Sequence, residues 1–206
     1  PNCNGCRRCF VDCPYGAIAM LPHPDKPGHE LARVLPDLCA SCGICAGACP
    51  SSTPFRSVEQ LVTGIDMPQQ PIGALRQDMA RRIAALTGPV KIAVFGCECA
   101  AGAGAVEDQG TAVMNLMCTG LLPPSFVEYA LRGGADGVLV TGCREGSCAY
   151  RFGTQWTQQR LAGKREPHLR TKETAERLRI ASADRHEISD LKAALDDFRK
   201  KKKNLD

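Results

Sequence analysis

Thirteen cysteines are the residues in this chain that can do chemistry, and eight of them repeat one spacing. "CNGCRRCFVDCP" sets Cys3, Cys6, Cys9 and Cys13 as CxxCxxCxxxCP, and "CASCGICAGACP" repeats that pattern at Cys39, Cys42, Cys45 and Cys49. Gaps of two residues are too short for ordinary disulfide bridging and suit the wrapping of a metal centre, which points to a reducing compartment. Three thiolates on one tight loop cap three irons of a cubane, and the fourth, ahead of proline, begins a segment turned away from it. The last cysteine of each motif therefore serves the other centre. Cys3, Cys6, Cys9 and Cys49 are expected to hold one [4Fe–4S] cluster, and Cys39, Cys42, Cys45 and Cys13 the second. Zinc also takes four cysteines, but usually as separated CxxC pairs, and no histidine stands nearby at zinc-finger spacing. His23 and His29 fall in a Pro-rich stretch, "LPHPDKPGHE", read as a surface loop, and are expected to face solvent.

A third group of thiols is more dispersed. "VKIAVFGC" ends in Cys97, "TAVMNLMC" in Cys118 and "GVLVTGC" in Cys143, with Cys148 one short loop later. These apolar runs read as buried strands. "PPSFVEYALRGG" between the last two reads as a helix entered by Pro123 and Pro124 and closed by Gly133-Gly134. Strands alternating with helices make a parallel sheet with right-handed crossovers, and ligands gather outside the carboxyl ends of its strands. Cys97, Cys118, Cys143 and Cys148 converging there fit a [2Fe–2S] cluster, a [4Fe–4S] cluster or zinc. Cys99, two residues past Cys97, is the alternate ligand. Arg144, beside Cys143, is a candidate cofactor-binding residue that tunes charge or docks a partner. "AGAGAVE" after the first strand lacks the third glycine of a dinucleotide fingerprint, and no acidic ribose partner closes a strand downstream.

The elements that must position these thiols give an α+β chain. Residues 1–56 are expected to form a dicluster ferredoxin-like domain, and 57–88 a linker with an amphipathic helix over 72–86. Residues 89–165 are expected to form an α/β domain whose short parallel sheet carries a cluster at its strand carboxyl edge. Residues 166–206 read as two polar helices with a basic tail. Trp156, the single tryptophan, is expected to pack against the α/β core.

The segment from about 90 to 165 resembles the hydrogenase iron–sulfur subunit family, of which the methyl-viologen-reducing hydrogenase delta subunit (MvhD type) is the named kind. The residues that carry the likeness are "FGC" at 95–97, "MCTG" at 117–120 and "GGADGVLVTGCREGSCAYRFGTQW" at 133–156. Family members often have CxxC after the first strand, where this chain has Cys97-Glu98-Cys99. The first fifty residues resemble a bacterial dicluster ferredoxin, although "CPSSTPF" departs from its pattern. The resemblance implies a [2Fe–2S] cluster at the third group and the role of an electron connector. Its partners would be other subunits of a redox complex: a flavoprotein of heterodisulfide-reductase type, a hydrogenase or formate dehydrogenase, or a membrane cytochrome.

Composition narrows the rest. No run of eighteen apolar residues occurs, so no membrane span is expected. The chain opens at Pro1 without a methionine or secretory signal, as a processed chain or a segment of a longer one does. A net charge of +4 is modest, but Arg199 to Lys203 form a basic run. It reads as a solvated helix end, and without a recognition helix bearing interleaved aromatics no nucleic acid is expected as a partner. The expected location is cytoplasmic, with a peripheral place on the inner face of a membrane allowed by that run. The leading function is single-electron transfer. The alternative is a cluster-based reductase of disulfides or sulfur compounds that uses Cys99 as a labile thiol.

Overall fold

In the computed structural model, which describes residues 2–57 and 61–203, the two cysteine motifs repeat the same backbone turns. Pro1 and residues 204–206 lie outside the described residues. Gly5 and Ser41 adopt φ of 71° and 54°, and two residues on Arg7 and Gly43 adopt 61° and 76°. Left-handed backbone at these matching positions coils each loop and launches a short helix, α1 (Arg8–Asp12) in the first motif and α2 (Ile44–Ala48) in the second. A β-carbon in that conformation costs about 1–2 kcal/mol. Gly43 avoids the cost, and Arg7 is held by a two-pronged ion pair to Glu30, Nε to Oε2 at 2.7 Å and Nη2 to Oε1 at 2.5 Å.

Between the motifs, β1 (Ile18–Pro22) and β2 (Glu30–Val34) pair antiparallel, from Ile18 opposite Val34 to Pro22 opposite Glu30. The Pro-rich stretch is the connection of this hairpin. His29 is exposed there as expected, but His23 is buried, and its Nδ1 accepts the Asp25 N–H at 3.1 Å.

The helix predicted over 72–86 is α3 (Ile72–Ala84), which buries Ile72, Leu75, Met79 and Ile83 along one stripe. The sheet follows: β3 (Ile92–Cys97), β4 (Thr111–Leu116), α4 (Ser125–Arg132), β5 (Gly137–Gly142), α5 (Gly153–Leu161), α6 (Lys172–Glu176), β6 (Leu178–Ser182) and α7 (Ile188–Lys203). All four strands are parallel, in the order β4-β3-β5-β6. Side chains of β3 alternate between two apolar layers. Ala93 and Phe95 join the layer of α3 and α4, whereas Ile92 and Val94 join Leu191, Leu195 and Phe198 of α7. A sheet covered on both faces needs near-continuous apolar strands, which is why these segments read so plainly in the sequence.

The reading of 166–206 as helices alone is corrected by β6, which pairs with β5 from Val138–Leu178 to Gly142–Ser182. "LRIAS" is a short edge strand, only partly buried and flanked by charges, so its apolar signal is weak. α7 then runs antiparallel to the strands. Its first turns lie near Arg144, and its Arg199 reaches Asp108 (2.6 Å to each oxygen) and Thr111 at the start of β4.

The two halves of the chain meet backbone to backbone. A β-carbon on Gly47 of α2 would collide with the Gly120 carbonyl, and one on Gly120 would stand 2.5 Å from Ile44 Cγ1. Trp156 serves this junction rather than the sheet core. Its Nε1 donates to the Asp12 carbonyl (3.1 Å), its ring stacks on Phe152, and Arg165 lies over it at 3.6 Å.

Candidate metal centres

The first group of thiols encloses a cavity of about 300 Å³ whose lining includes Cys3, Cys6, Cys9 and Cys49 together with Gly64. A β-carbon on Gly64 would come within 3.3 Å of Cys49 Sγ, so the wall there has room for backbone only. Burial, and after it the charges of Cys49, Cys6 and Cys3, push the Cys9 thiol up to about 12. Cys49 thus stands among the cysteines of the other motif.

The second group is deeper, with Cys42, Cys45 and their loop buried. Burial, then Cys42 and Cys9, push Cys45 up to about 12, with Cys39 adding a smaller contribution. Cys42 is raised by burial first, with Cys13 and Cys39 as its charged neighbours. Cys13 and Cys49 have therefore changed places between the motifs, and Cys9 and Cys45 adjoin each other across the pseudo-symmetry. Backbone amides point at the sulfurs: Ala17 N–H to Cys13 at 3.3 Å and Ser41 N–H to Cys39 at 3.4 Å. Donors of this kind stabilise negative charge on sulfur and tune the potential of an iron–sulfur centre.

The third group forms at the carboxyl edge of the sheet. Cys97 ends β3, Cys143 follows β5 directly, and Cys118 lies two residues beyond β4, so the three are close in space without sharing one register. Because the chain passes from β4 over β3 to β5, the topological switch falls between β3 and β5, where Cys97 and Cys143 stand. The loop through Gly146 (φ 85°) and Arg151 (φ 63°) brings Cys148 back to them.

These four sulfurs form a closed ring of contacts in the order Cys97, Cys118, Cys148, Cys143. Bonding to Cys148 and then to Cys97 holds the proton on Cys118 and on Cys143. The bonds donated by Cys118 and then Cys143 pull Cys97 down to about 3 and Cys148 far below the usual thiol range. Cys99 stays beside this ring; burial and then Cys97 raise its thiol, and Arg185 opposes them.

Among the described residues, no group of three or more His, Cys, Asp or Glu could hold a single metal ion. A tetrahedral zinc at about 2.3 Å from each sulfur needs donors roughly 3.8 Å apart. Iron–sulfur cores place iron and inorganic sulfide between the thiolates and accept a wider set. The all-thiol donor groups fit them.

Arg144 is drawn away from the sulfurs. Its guanidinium binds Glu187 (2.6 Å) and Asp190 (2.8 Å), and its N–H donates to Asp184 Oδ1 (2.9 Å), which also accepts from Ser147 Oγ (2.6 Å). Its visible work is to clamp the Cys143–Cys148 loop onto the start of α7. Sequence reasoning missed Tyr15 and Tyr150. Burial raises both phenols; Cys42, Cys148 and Cys118 lie near the first, and Cys99, Cys118 and Cys42 near the second. It also missed Asp12 and Arg160, a buried ion pair, because pairing across 148 residues leaves no local pattern.

Comparison with known proteins agrees with this layout. Residues 2–53 match the 4Fe-4S dicluster domain, and residues 91–206 match the methyl-viologen-reducing hydrogenase delta subunit. An iron-sulfur subunit of the F420-non-reducing hydrogenase vhc of Methanococcus voltae is 41% identical over 49 residues, 24% of this chain and 34% of the relative. An iron-sulfur subunit of the F420-non-reducing hydrogenase of Archaeoglobus profundus is 46% identical over 41 residues, 20% of this chain and 30% of the relative. A large subunit-length chain of the ferredoxin:CoB-CoM heterodisulfide reductase of Methanosarcina mazei is 47% identical over 49 residues, 24% of this chain and 6% of the relative. The similarity thus spans about a third of the two hydrogenase relatives and a small part of the heterodisulfide reductase one. Carrying a 4Fe-4S dicluster domain at its N-terminus and matched over more than half its length, this chain belongs to the methyl-viologen-reducing hydrogenase delta subunit family.

Proposed function

We propose that this protein is an electron-transfer iron–sulfur subunit of a larger oxidoreductase complex of hydrogenase or heterodisulfide-reductase type. In this reading Cys3, Cys6, Cys9 and Cys49 hold one [4Fe–4S] cluster, and Cys39, Cys42, Cys45 and Cys13 the second. Cys97, Cys118, Cys143 and Cys148 hold a [2Fe–2S] cluster. Such clusters, when bound, take up and release single electrons. The polypeptide buries the thiolates, aims backbone amides at them and fixes their mutual placement.

The observation that carries the reading is the boundary between the second and third groups. Tyr15 and Tyr150 each lie near Cys42 on one side and Cys118 on the other, and Gly47 meets Gly120 without an intervening side chain. The first group is at the open end of this row, where Cys6 is exposed. We divide the chain accordingly into a ferredoxin-like part (1–56), a linker with α3 (57–88) and an α/β part from residue 89 onward. Partners are other subunits of the complex, for which the named relatives supply hydrogenase and heterodisulfide reductase as the first candidates. Among the described residues no helix is long and apolar enough to cross a membrane.

Iron and sulfide quantitation on anaerobically purified protein, with EPR of the reduced form, tests the proposal. About ten irons per chain, from two four-iron centres and one two-iron centre, is the expected result. About eight irons with one zinc would remove the third cluster from the reading, and a colourless protein with paired sulfurs would overturn all of it.

A further inference from the structure

One guanidinium sits where the second and third thiol groups meet. Arg160 lies on α5 and is 0% exposed. Its Nη1 donates to the Gly120 carbonyl (2.9 Å), and its Nη2 donates to Asp12 Oδ2 (2.5 Å) and to the Ile44 carbonyl (3.3 Å). Each of these acceptors adjoins a proposed ligand. Asp12 precedes Cys13, Ile44 precedes Cys45, and Gly120 donates its own N–H to Cys118 Sγ at 3.4 Å. A single side chain thus touches the loops of two thiol groups in the ferredoxin-like part and one in the α/β part.

Burying a charge this deeply is costly unless it is paired and hydrogen-bonded. Asp12, only 4% exposed at its side chain, also pairs with Arg165. With arginine protonated throughout the accessible pH range, the trio Arg160, Arg165 and Asp12 carries one net positive charge. Arg160 Nε has no hydrogen-bond partner among the described residues. A structural tie between two parts of a fold does not require a surplus charge in a dry interior. A site flanked on both sides by thiolates does, because a fixed cation there offsets their negative charge in surroundings where screening is weak.

We propose that Arg160 is a positioning and potential-setting residue for the second [4Fe–4S] centre and the third centre, its buried positive charge raising the reduction potential of both. The inference rests on the ligand assignment proposed above. The wild-type iron count tests that assignment separately, so a failure of either can be told from a failure of the other.

The test is an EPR-monitored redox titration of the cluster-loaded protein, comparing R160Q, R160K and D12N with wild type. R160Q makes the interior one unit more negative and is expected to lower the potentials of the second and third centres. D12N makes it one unit more positive and is expected to raise them. R160K keeps the charge and is expected to stay nearest to wild type. The first centre should move least in every variant, because none of its ligands adjoins a group that Arg160 touches. If R160Q fails to retain clusters, D12N and R160K still decide, since D12N must lie above R160K. Potentials that stay put, shift in the same direction in R160Q and D12N, or move equally at all three centres would overturn the proposal and leave Arg160 a structural tie.

Discussion

A β-carbon placed on Gly153 would collide with the sulfur of Cys118 and stand 3.4 Å from that of Cys148. The first residue of α5 is therefore in contact with the third thiol group, and nothing larger than hydrogen fits there. G153A is expected to displace Cys118 and release the third cluster while leaving the other two. Iron content should fall from about ten toward eight per chain with the [4Fe–4S] EPR signals retained. Full retention of iron would show that the loop yields easily and that the close approach has no role.

The competition between Cys97 and Cys99 is decided by a pair of serine variants. C97S is expected to abolish the third cluster, since Cys97 ends β3 and contacts both Cys118 and Cys143. C99S is expected to preserve it. If C99S instead removes the cluster, the ligand assignment moves to Cys99. If the cluster survives C99S but turnover of a disulfide or sulfur compound is lost, the reductase reading takes precedence over simple electron transfer.

Exchange of the last cysteine between motifs makes a counter-intuitive prediction. C49S lies in the second motif but is expected to damage the centre held by Cys3, Cys6 and Cys9. C13S, in the first motif, is expected to damage the one held by Cys39, Cys42 and Cys45. EPR of the two reduced variants should show loss of different signals. The more exposed first centre is identified by the faster loss of its signal on oxidation in air, because Cys6 is exposed and the second loop is buried.

The clamp on the Cys143–Cys148 loop is sensitive to acid. Bonds from Ser147 and then the Arg144 amide hold Asp184 below its ordinary value, and the Arg144 guanidinium does the same first and foremost for Glu187. A depressed folded-state pKa contributes stability that is complete above the unfolded values of about 4 and is lost as pH falls through the folded ones. R144M should therefore lower the thermal midpoint near neutrality, and its difference from wild type should shrink below about pH 4. Because these groups are exposed, raising the salt concentration should shrink it as well. A difference that is constant across pH would mean that Arg144 acts by packing rather than by charge.

What could be read in the sequence was whatever repeats or alternates. The duplicated CxxCxxCxxxCP motifs, the apolar runs of β3, β4 and β5, the stripe of α3 and the proline entry to α4 all follow local spacing. β6 escaped because an edge strand half open to solvent does not need a continuous apolar run. His23 escaped because one buried ring bonded to its own loop leaves no pattern. The Arg160–Asp12 pair and the meeting of Gly47 with Gly120 join residues far apart in the chain, so only the fold reveals them. The third thiol group falls between these cases. Strand periodicity located Cys97 and Cys143, while the place of Cys118, two residues past its strand, depends on how the following turn is packed.

The direction of α7 separates attachment from conduction. Its sixteen residues cover about 24 Å, starting beside the Arg144 loop and finishing with Arg199 at the opposite rim of the sheet. An acidic neighbour gripping the lysines there would be stationed a full sheet's depth from the sulfurs of the third group. Such a neighbour would serve as a mooring, and whatever exchanges electrons with that group must come in from the other rim.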